Sequence, residues 1–332
     1  MHTLRLKKPN MTKKVAIIGA GIAGLTLAKL LSTAAVVDVF EKSRGVGGRM
    51  ATRKHQAFNF DHATAGFRAQ SEEFKQFLAA LDPTHITHWQ PKILDLQQAS
   101  YQASSSYYIG LPGMNGICKA LLGDYTLHKT TQITHIQRQD SWTLTDSNNR
   151  CFQGYDWLII TAPAPQAVAL LATATPAAPW IDTLKSIQTK PCHTIMYGLK
   201  QPLELSYDIG LINNSVLAKV HNNTRRPGSD QTTLVIHSSS QWAAQTLTED
   251  EAMITQVMID SLRDYIKINT CSIAYQSLHT WRYAEVSKPC THRYLVDDAQ
   301  ALAVCGDGFM AAGIEGAYRS ADFLGRYLSH RV

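Results

Sequence analysis

Val15-Ala-Ile-Ile18-Gly19-Ala20-Gly21-Ile22-Ala23-Gly24 is the stretch on which the reading of this chain turns. A short apolar run stopped by glycine reads as a buried strand. The glycines then fall in the spacing G-x-G-x-x-G, and Leu25 to Ser32 continue as a helix with apolar residues on one face. A second strand, Val36 to Phe40, ends at Glu41, 17 residues beyond Gly24. Strand, glycine turn, helix, strand and acid make a βαβ dinucleotide-binding unit. Gly19 permits the tight turn, Gly21 lets the backbone approach a pyrophosphate, and Gly24 lets helix and strand pack closely. With Ala20, Ile22 and Ala23 between them, they open a helix whose free N–H groups and positive dipole end suit phosphates. Glu41, ionised, accepts from the ribose hydroxyls.

Outward from that unit, the composition is that of a soluble globular protein: 332 residues, 45% hydrophobic and 17% charged. The length allows two domains. No apolar run approaches the ~20 residues that cross a bilayer, which excludes an integral membrane protein. The net charge of +6 is misleading, because Arg5, Lys7, Lys8, Lys13 and Lys14 stand in the first 14 residues without an acid. The rest carries 27 cations against 26 acids, so residues 1–11 read as a flexible basic leader and nucleic acid is not an expected partner. Six scattered cysteines with no CxxC pair fit free thiols in a reducing cytoplasm and give no metal site. His85 and His88 lack a third ligand nearby and read as surface residues.

The chain leaves this first style and returns to it. Tyr125 to Thr145 reads as a hairpin, and a strand from Tyr155 to Thr161 is stopped by Ala162-Pro163-Ala164-Pro165. Strands follow at His193 to Leu199 and Thr232 to Ser238, with a helix from Glu249 to Tyr265. At the end, Leu302 to Cys305 reads as a strand, Gly306-Asp307-Gly308 as a turn, and a helix starts near Ile314. The expected partition is a discontinuous cofactor domain, 12–80, 110–165 and 295–330, and a substrate domain, 81–109 and 166–294.

Just past Glu41 stand Lys42-Ser-Arg44-Gly-Val-Gly47-Gly48-Arg49-Met50, two adjacent glycines between two arginines. Bare backbone and two cations make a second phosphate-binding element that a nicotinamide dehydrogenase does not need. It resembles the GGR segment of FAD-dependent amine-oxidase and glutathione-reductase-like flavoproteins. Cys305-Gly306-Asp307-Gly308-Phe309-Met310 resembles their second flavin motif, where the Asp carboxylate binds the ribityl chain and the helix start faces the flavin ring. Three elements in this order imply FAD, and no cysteine context matches covalent attachment.

The likeness goes further. Glu41 to Arg53, Phe60-Asp61-His62, Leu111-Pro-Gly113-Met114, His279-Thr280-Trp281-Arg282-Tyr283-Ala284 and the Gly306–Met310 run together look like the bacterial renalase-like family, with gaps, over nearly the whole chain from Val15. That resemblance implies an α/β fold: a Rossmann-like, p-hydroxybenzoate-hydroxylase-like FAD domain with a second α+β substrate domain on a β-sheet. It implies non-covalent FAD and oxidation of 2- or 6-dihydro-NAD(P) by hydride transfer, with O2 reduced to H2O2. It places Lys42, Arg44, Gly48, Arg49, Met50, Ala51, Asp61, His62, Ile133, Ala162, Pro163, Gly306, Asp307, Glu315, Gly316 and Ala317 at the cofactor. Trp281 becomes a wall beside the substrate ring, and His237 and Asn223 hydrogen-bond a carboxamide. Arg225 and Arg226, beside Pro227-Gly228, read as a solvated loop rather than a phosphate site.

One departure stands out. Where the family has Gln and Tyr after Asp61-His62, this chain has Ala65 and Gly66, a loss expected to open the pocket and change its substrate. Two other readings stay open: a FAD amine oxidase walled by Tyr107, Tyr108, Trp281 and Tyr283, and a non-catalytic flavin-binding or redox-sensing protein.

Overall fold

The computed structural model describes residues 12–103, 105–174, 180–229 and 232–332; the expected leader lies outside them. Strand β1 (Lys14–Ile18), helix α1 (Ile22–Leu31) and strand β2 (Val36–Phe40) form the expected βαβ start. They belong to a six-stranded sheet ordered Leu295–Asp297, Leu302–Val304, Trp157–Ile160, β1, β2, Thr126–His128. All its pairings are parallel except that of Leu295–Asp297 with Leu302–Val304. The sheet is covered on both faces, which is why Val15 to Ile18, Trp157–Ile160 and Leu302–Val304 read as unbroken apolar runs. Val15, Ile17, Val37 and Val39 face α1 and the C-terminal helix Gly313–Leu328. Ala16, Leu158, Ile160 and Val304 face the other way, onto a layer that includes Trp142, Leu170 and Leu184.

Two expectations are corrected. Helix α1 begins at Ile22, not Leu25, because Gly21 in extended conformation already ends the turn. The hairpin of 125–145 is divided: Thr126–His128 joins the parallel sheet beside β2, while Ile133–Arg138, Trp142–Asp146 and Cys151–Tyr155 form an antiparallel meander. Alternating Thr and Ile suit either role, so pattern alone did not separate them.

A seven-stranded sheet is ordered Ile273–Lys288, Gln188–Leu199, Thr233–Ser238, Leu217–Asn222, Ile209–Leu211, Ile93–Asp95, Ser100–Tyr101. Alternation gives it two faces. Ile195, Tyr197, Leu234 and Ile236 pack on Ile254, Met258 and Leu262 of helix Glu251–Arg263. On the opposite face the hairpin of β3 (Thr52–His55) and β4 (Phe58–Asp61) puts Phe60 against Met196 and Val235. The ring of His55 stacks at 3.9 Å on Tyr275. This hairpin follows the one-turn helix Gly48–Met50, so it carries chain from the dinucleotide unit onto the second sheet. Among the described residues no helix is long and apolar enough to cross a membrane.

Candidate functional site

The site begins where β1 and β2 end together. Gly19 leaves the strand at φ +111 and donates its N–H to the Phe40 carbonyl at 2.8 Å. Thr161 closes the turn from the neighbouring strand, its Oγ1 lying 3.0 Å from the Ile18 carbonyl and 3.2 Å from that of Gly19. A Cβ on Gly24 would stand 1.9 Å from the Gly19 carbonyl oxygen. Gly21 is the contrary case: its φ of −77° suits any residue, and a Cβ there would meet no atom of the described residues within 4 Å. Space beside a bare backbone is what an approaching pyrophosphate requires.

Glu41 is buried with its carboxylate oriented by main chain, one oxygen accepting from the Ala20 N–H at 2.9 Å and the other from Ser43 at 2.8 Å. Each oxygen keeps a lone pair for a ribose hydroxyl. The Gly47 N–H donates to the Ala20 carbonyl at 2.9 Å, so the second glycine pair rests on the first. The one-turn helix Gly48–Met50 then presents Arg49, whose two terminal nitrogens each take one Asp307 oxygen at 2.7 Å. This bidentate pair joins the two flavin-like motifs across the chain. Gly306 adjoins Thr161 and gives its N–H to Ser320 Oγ at 3.1 Å. Bare backbone at Gly21, the oriented Glu41 carboxylate and the Arg49–Asp307 pair, linked through the Gly47 to Ala20 hydrogen bond, fit a dinucleotide with a polyol linker.

The remaining expected cofactor residues divide. Lys42 and Arg44 are exposed beside Glu41, Met50 is buried, and Ala51 is half-buried. Ala162 and Pro163 follow Thr161, and Pro163 caps helix Ala164–Leu171. Ile133 and Ala317 are core residues. Gly316 lets its helix start pass Ala311, whose carbonyl oxygen a Cβ would meet at 1.7 Å. The Glu315 carboxylate accepts from the Gln70 and Ser71 N–H groups at 2.7 and 2.9 Å, anchoring helix Glu72–Ala79. Asp61 accepts from Thr52 Oγ1 at 2.6 Å and the Met114 N–H at 2.8 Å, and pairs with Arg226 at 3.1 Å. Arg226 is therefore no solvated loop residue; its side chain is 2% exposed. Arg225 keeps to the surface beside Asp208.

Beyond β4 lies a wall of rings. The His62 ring sits 4.9 Å from Trp281 and 5.1 Å from His279, and Trp281 Nε1 donates to the His62 carbonyl at 3.2 Å. On adjacent strands His237 lies 4.9 Å from His221, and its Nδ1 is 3.6 Å from Cys192 Sγ. Asn223 stands apart, its amide nitrogen 3.3 Å from Thr233 Oγ1. Burial pushes the imidazoles down, His62 to about 4 and His221 to about 3, with His237 well below its ordinary value and His279 also lowered. Nearby Arg53, Lys42 and Lys219 act in the same direction. These rings are neutral at physiological pH and each can both donate and accept. His62 Nδ1, His237 Nε2 and both nitrogens of His221 are buried without a partner among the described residues.

A stability prediction follows from those shifts. Unfolded histidines titrate near 6.5, so below that pH the unfolded chain binds more protons than the folded one. His62 and His221 therefore favour the fold fully above about 6.5, and their contribution falls as pH drops toward about 4 and 3. The loss is about 1.4 kcal/mol per unit for each ring. The urea midpoint is expected to fall between pH 6.5 and 5, and less steeply in His221→Phe; equal slopes would show His221 to be hydrated in the fold.

Sequence reasoning missed Thr161, His221, the ion-pair role of Arg226, and His279 as a wall residue. His279 had a signal, since it lies two residues before Trp281 and so on the same strand face.

Residues 17–81 match the family model of the NAD(P)-binding Rossmann-like domain. Among curated proteins, the 4,4'-diapophytoene desaturase (4,4'-diaponeurosporene-forming) of Staphylococcus aureus (strain MRSA252) is 45% identical over 53 residues, covering 16% of this chain and 11% of the desaturase. The chain thus matches only about a tenth of that relative's length. Solved structures are similar over far more. A protein assigned as a protoporphyrinogen oxidase from Exiguobacterium sp. 255-15 aligns over 97% of this chain and 100% of its own, with TM-score 0.74 and 12% identity. Cyclohexylamine oxidase from Brevibacterium oxydans aligns over 96% and 99%, with TM-score 0.70 and 12% identity. At such identities the likeness is one of fold: this chain has the mixed α/β architecture of these oxidoreductases, with a Rossmann-like dinucleotide-binding unit at its start.

Proposed function

We propose that this chain is a FAD-dependent oxidase that holds FAD non-covalently and oxidises a reduced nicotinamide isomer, 2- or 6-dihydro-NAD(P), with O2 as electron acceptor, as the renalase-like resemblance implies. The observation that carries the reading is the continuity of the two halves. Arg49 grips Asp307; two residues on, the Ala51 main chain meets the His62 ring; and the His62 carbonyl holds Trp281. A groove lined in this order would lead from phosphates through a polyol to a wall of rings. FAD supplies the hydride acceptor, and the protein has to stack and orient the reacting rings. Gly19–Gly21 main chain and Glu41 bind the adenosine end, Arg49 and Asp307 the middle, and Trp281 with His62 and His279 shape the substrate wall. His237, neutral with a free Nε2, hydrogen-bonds a carboxamide.

The charges acting on these imidazoles are cationic, from Arg53, Lys42 and Lys219. Such cations favour a substrate that carries phosphates, as a dinucleotide does. The amine reading draws on the aromatic side chains named above and on structural neighbours that are amine oxidases, putrescine oxidase and cyclohexylamine oxidase, at 12–13% identity. The changed positions 65 and 66 do not leave an open pocket: Ala65 is 2% exposed, and a Cβ on Gly66 would meet Ile109 at 2.9 Å. On this reading the chain divides into the cofactor and substrate units given above and works in the cytoplasm.

Anaerobic bleaching of the bound flavin tests it. Mixing with 2- and 6-dihydro-NAD(P) is expected to bleach the flavin fast, while NADH and amines do so slowly. Bleaching by amines alone would overturn the substrate assignment, and no bleaching by any of these would favour a non-catalytic flavoprotein. Trp281→Ala is expected to slow reduction at least about tenfold, since misplaced reacting rings lose rate steeply. An unchanged rate would make Trp281 a packing residue.

A further inference from the structure

A small cavity lies between β4 and the loop that follows Leu217–Asn222. Its volume is about 40 Å³, and Thr52, Asn59, Asp61, Gly113, Asn223 and Arg226 are among its walls. Substrate pockets measure roughly 300–1,000 Å³, so this one admits no substrate. It is roomy for water, since one molecule needs roughly 10–15 Å³ of such space and several polar partners. Two of the residues that line it each carry a buried polar atom, Arg226 Nε and Asn223 Oδ1, that lacks a partner among the described residues. Both residues are about 3% exposed.

The rest of Arg226 is fully engaged. Its guanidinium pairs with Asp61 at 3.1 Å and donates to the Gly110 carbonyl at 2.7 Å. Asp61 in turn holds Thr52 of β3 and the Met114 N–H. The next residue is His62, which carries Trp281. A chain of contacts thus runs from the second sheet through a buried ion pair to the wall of rings.

We propose that Asn223, Arg226 and Asp61 form a water-bridged clamp that positions His62 against Trp281. Ordered water joins the Arg226 Nε–H to Asn223 Oδ1, so Asn223 serves the clamp and does not touch the substrate. The water site stands on geometry alone; the positioning role rests on the proposed substrate wall.

A high-resolution crystal structure of the full chain tests the water site, and it is independent of any turnover. Water within hydrogen-bond distance of both Arg226 Nε and Asn223 Oδ1 is expected; a dry cavity, or another molecule in it, overturns the site. Asn223→Leu tests the role. It is expected to lower the flavin-reduction rate by about tenfold, the size of one lost buried polar link. The loss should be equal for dihydro-NAD(P) and for a dihydropyridine lacking the carboxamide. A loss confined to the carboxamide substrate would make Asn223 a substrate ligand and overturn the clamp. Arg226→Lys should regain most of what Arg226→Met loses; no rescue would overturn the positioning role. If the wild type reduces with no dihydropyridine, the proposed function fails while the crystallographic result still decides the water site.

Discussion

Replacing Gly21 with valine is expected to give a chain that folds nearly as stably as the wild type and retains no FAD. The side chain would enter space where no atom of the described residues lies within 4 Å of its Cβ. The backbone there is extended, so no strain arises. The cost to the protein is limited to a poorer N-cap, about 1 kcal/mol or less relative to glycine. The cost to a dinucleotide is steric, because its pyrophosphate has to lie against that backbone. Gly24→Ala should behave in the opposite way. Its Cβ would overlap the Gly19 carbonyl oxygen, 1.9 Å away; that oxygen is main chain, and the Cβ position is fixed by the helix backbone that carries it, so neither can swing aside. Overpacking of side chains costs about 1–3 kcal/mol, and a backbone clash relaxes less readily, so about 3 kcal/mol or more is expected. Urea midpoints and the ratio of flavin absorbance to protein separate the two. Gly21→Val that keeps its FAD would show that the pyrophosphate passes elsewhere.

The contrast marks what a sequence can carry. The glycine spacing, the apolar strands and the acid at Glu41 are local, and each fixes its own neighbourhood through backbone geometry. Their reading therefore transfers to the structure with shifts of a few residues, such as the earlier start of α1. The site's second half depends on partners distant in the chain. Arg226 sits beside Pro227-Gly228, a pairing that favours an exposed turn, yet Asp61 draws it into the interior. Glu315 stands in the expected helix start, but its carboxylate satisfies the Gln70 and Ser71 N–H groups instead. Gly66 shows the same limit: a small residue suggested an open pocket, whereas Ile109 and Tyr108 close over it. Local chemistry names what a residue can do, and tertiary packing decides which partner it meets.

Arg226→Met is expected to destabilise the fold by about 3–5 kcal/mol, the range for breaking a buried ion pair by removing one partner. The penalty arises mostly from Asp61, left buried and charged beside groups that cannot neutralise it. Asp61→Asn should also be costly, since it leaves the Arg226 guanidinium buried without its counter-charge, although the amide carbonyl can still accept from Met114. The double variant should be more stable than the two single losses predict when added, since each removes what makes the other costly. The variant also has a pH signature. Burial pushes the Asp61 carboxyl up from its ordinary value, while Arg226, Thr52 and Met114 pull it down. Without Arg226 the upward push grows, so the folded chain binds a proton that the unfolded chain releases near 3.9. A folded pKa above the unfolded one gives stability that is full below the unfolded value and is lost as pH rises through the folded value. The gap in urea midpoint between Arg226→Met and wild type should therefore narrow as pH is lowered from 7 toward 4. The histidine losses are common to both chains and cancel in that difference. A gap that stays constant with pH would mean that Asp61 finds water or another cation once Arg226 is gone, and that the clamp is not closed to solvent.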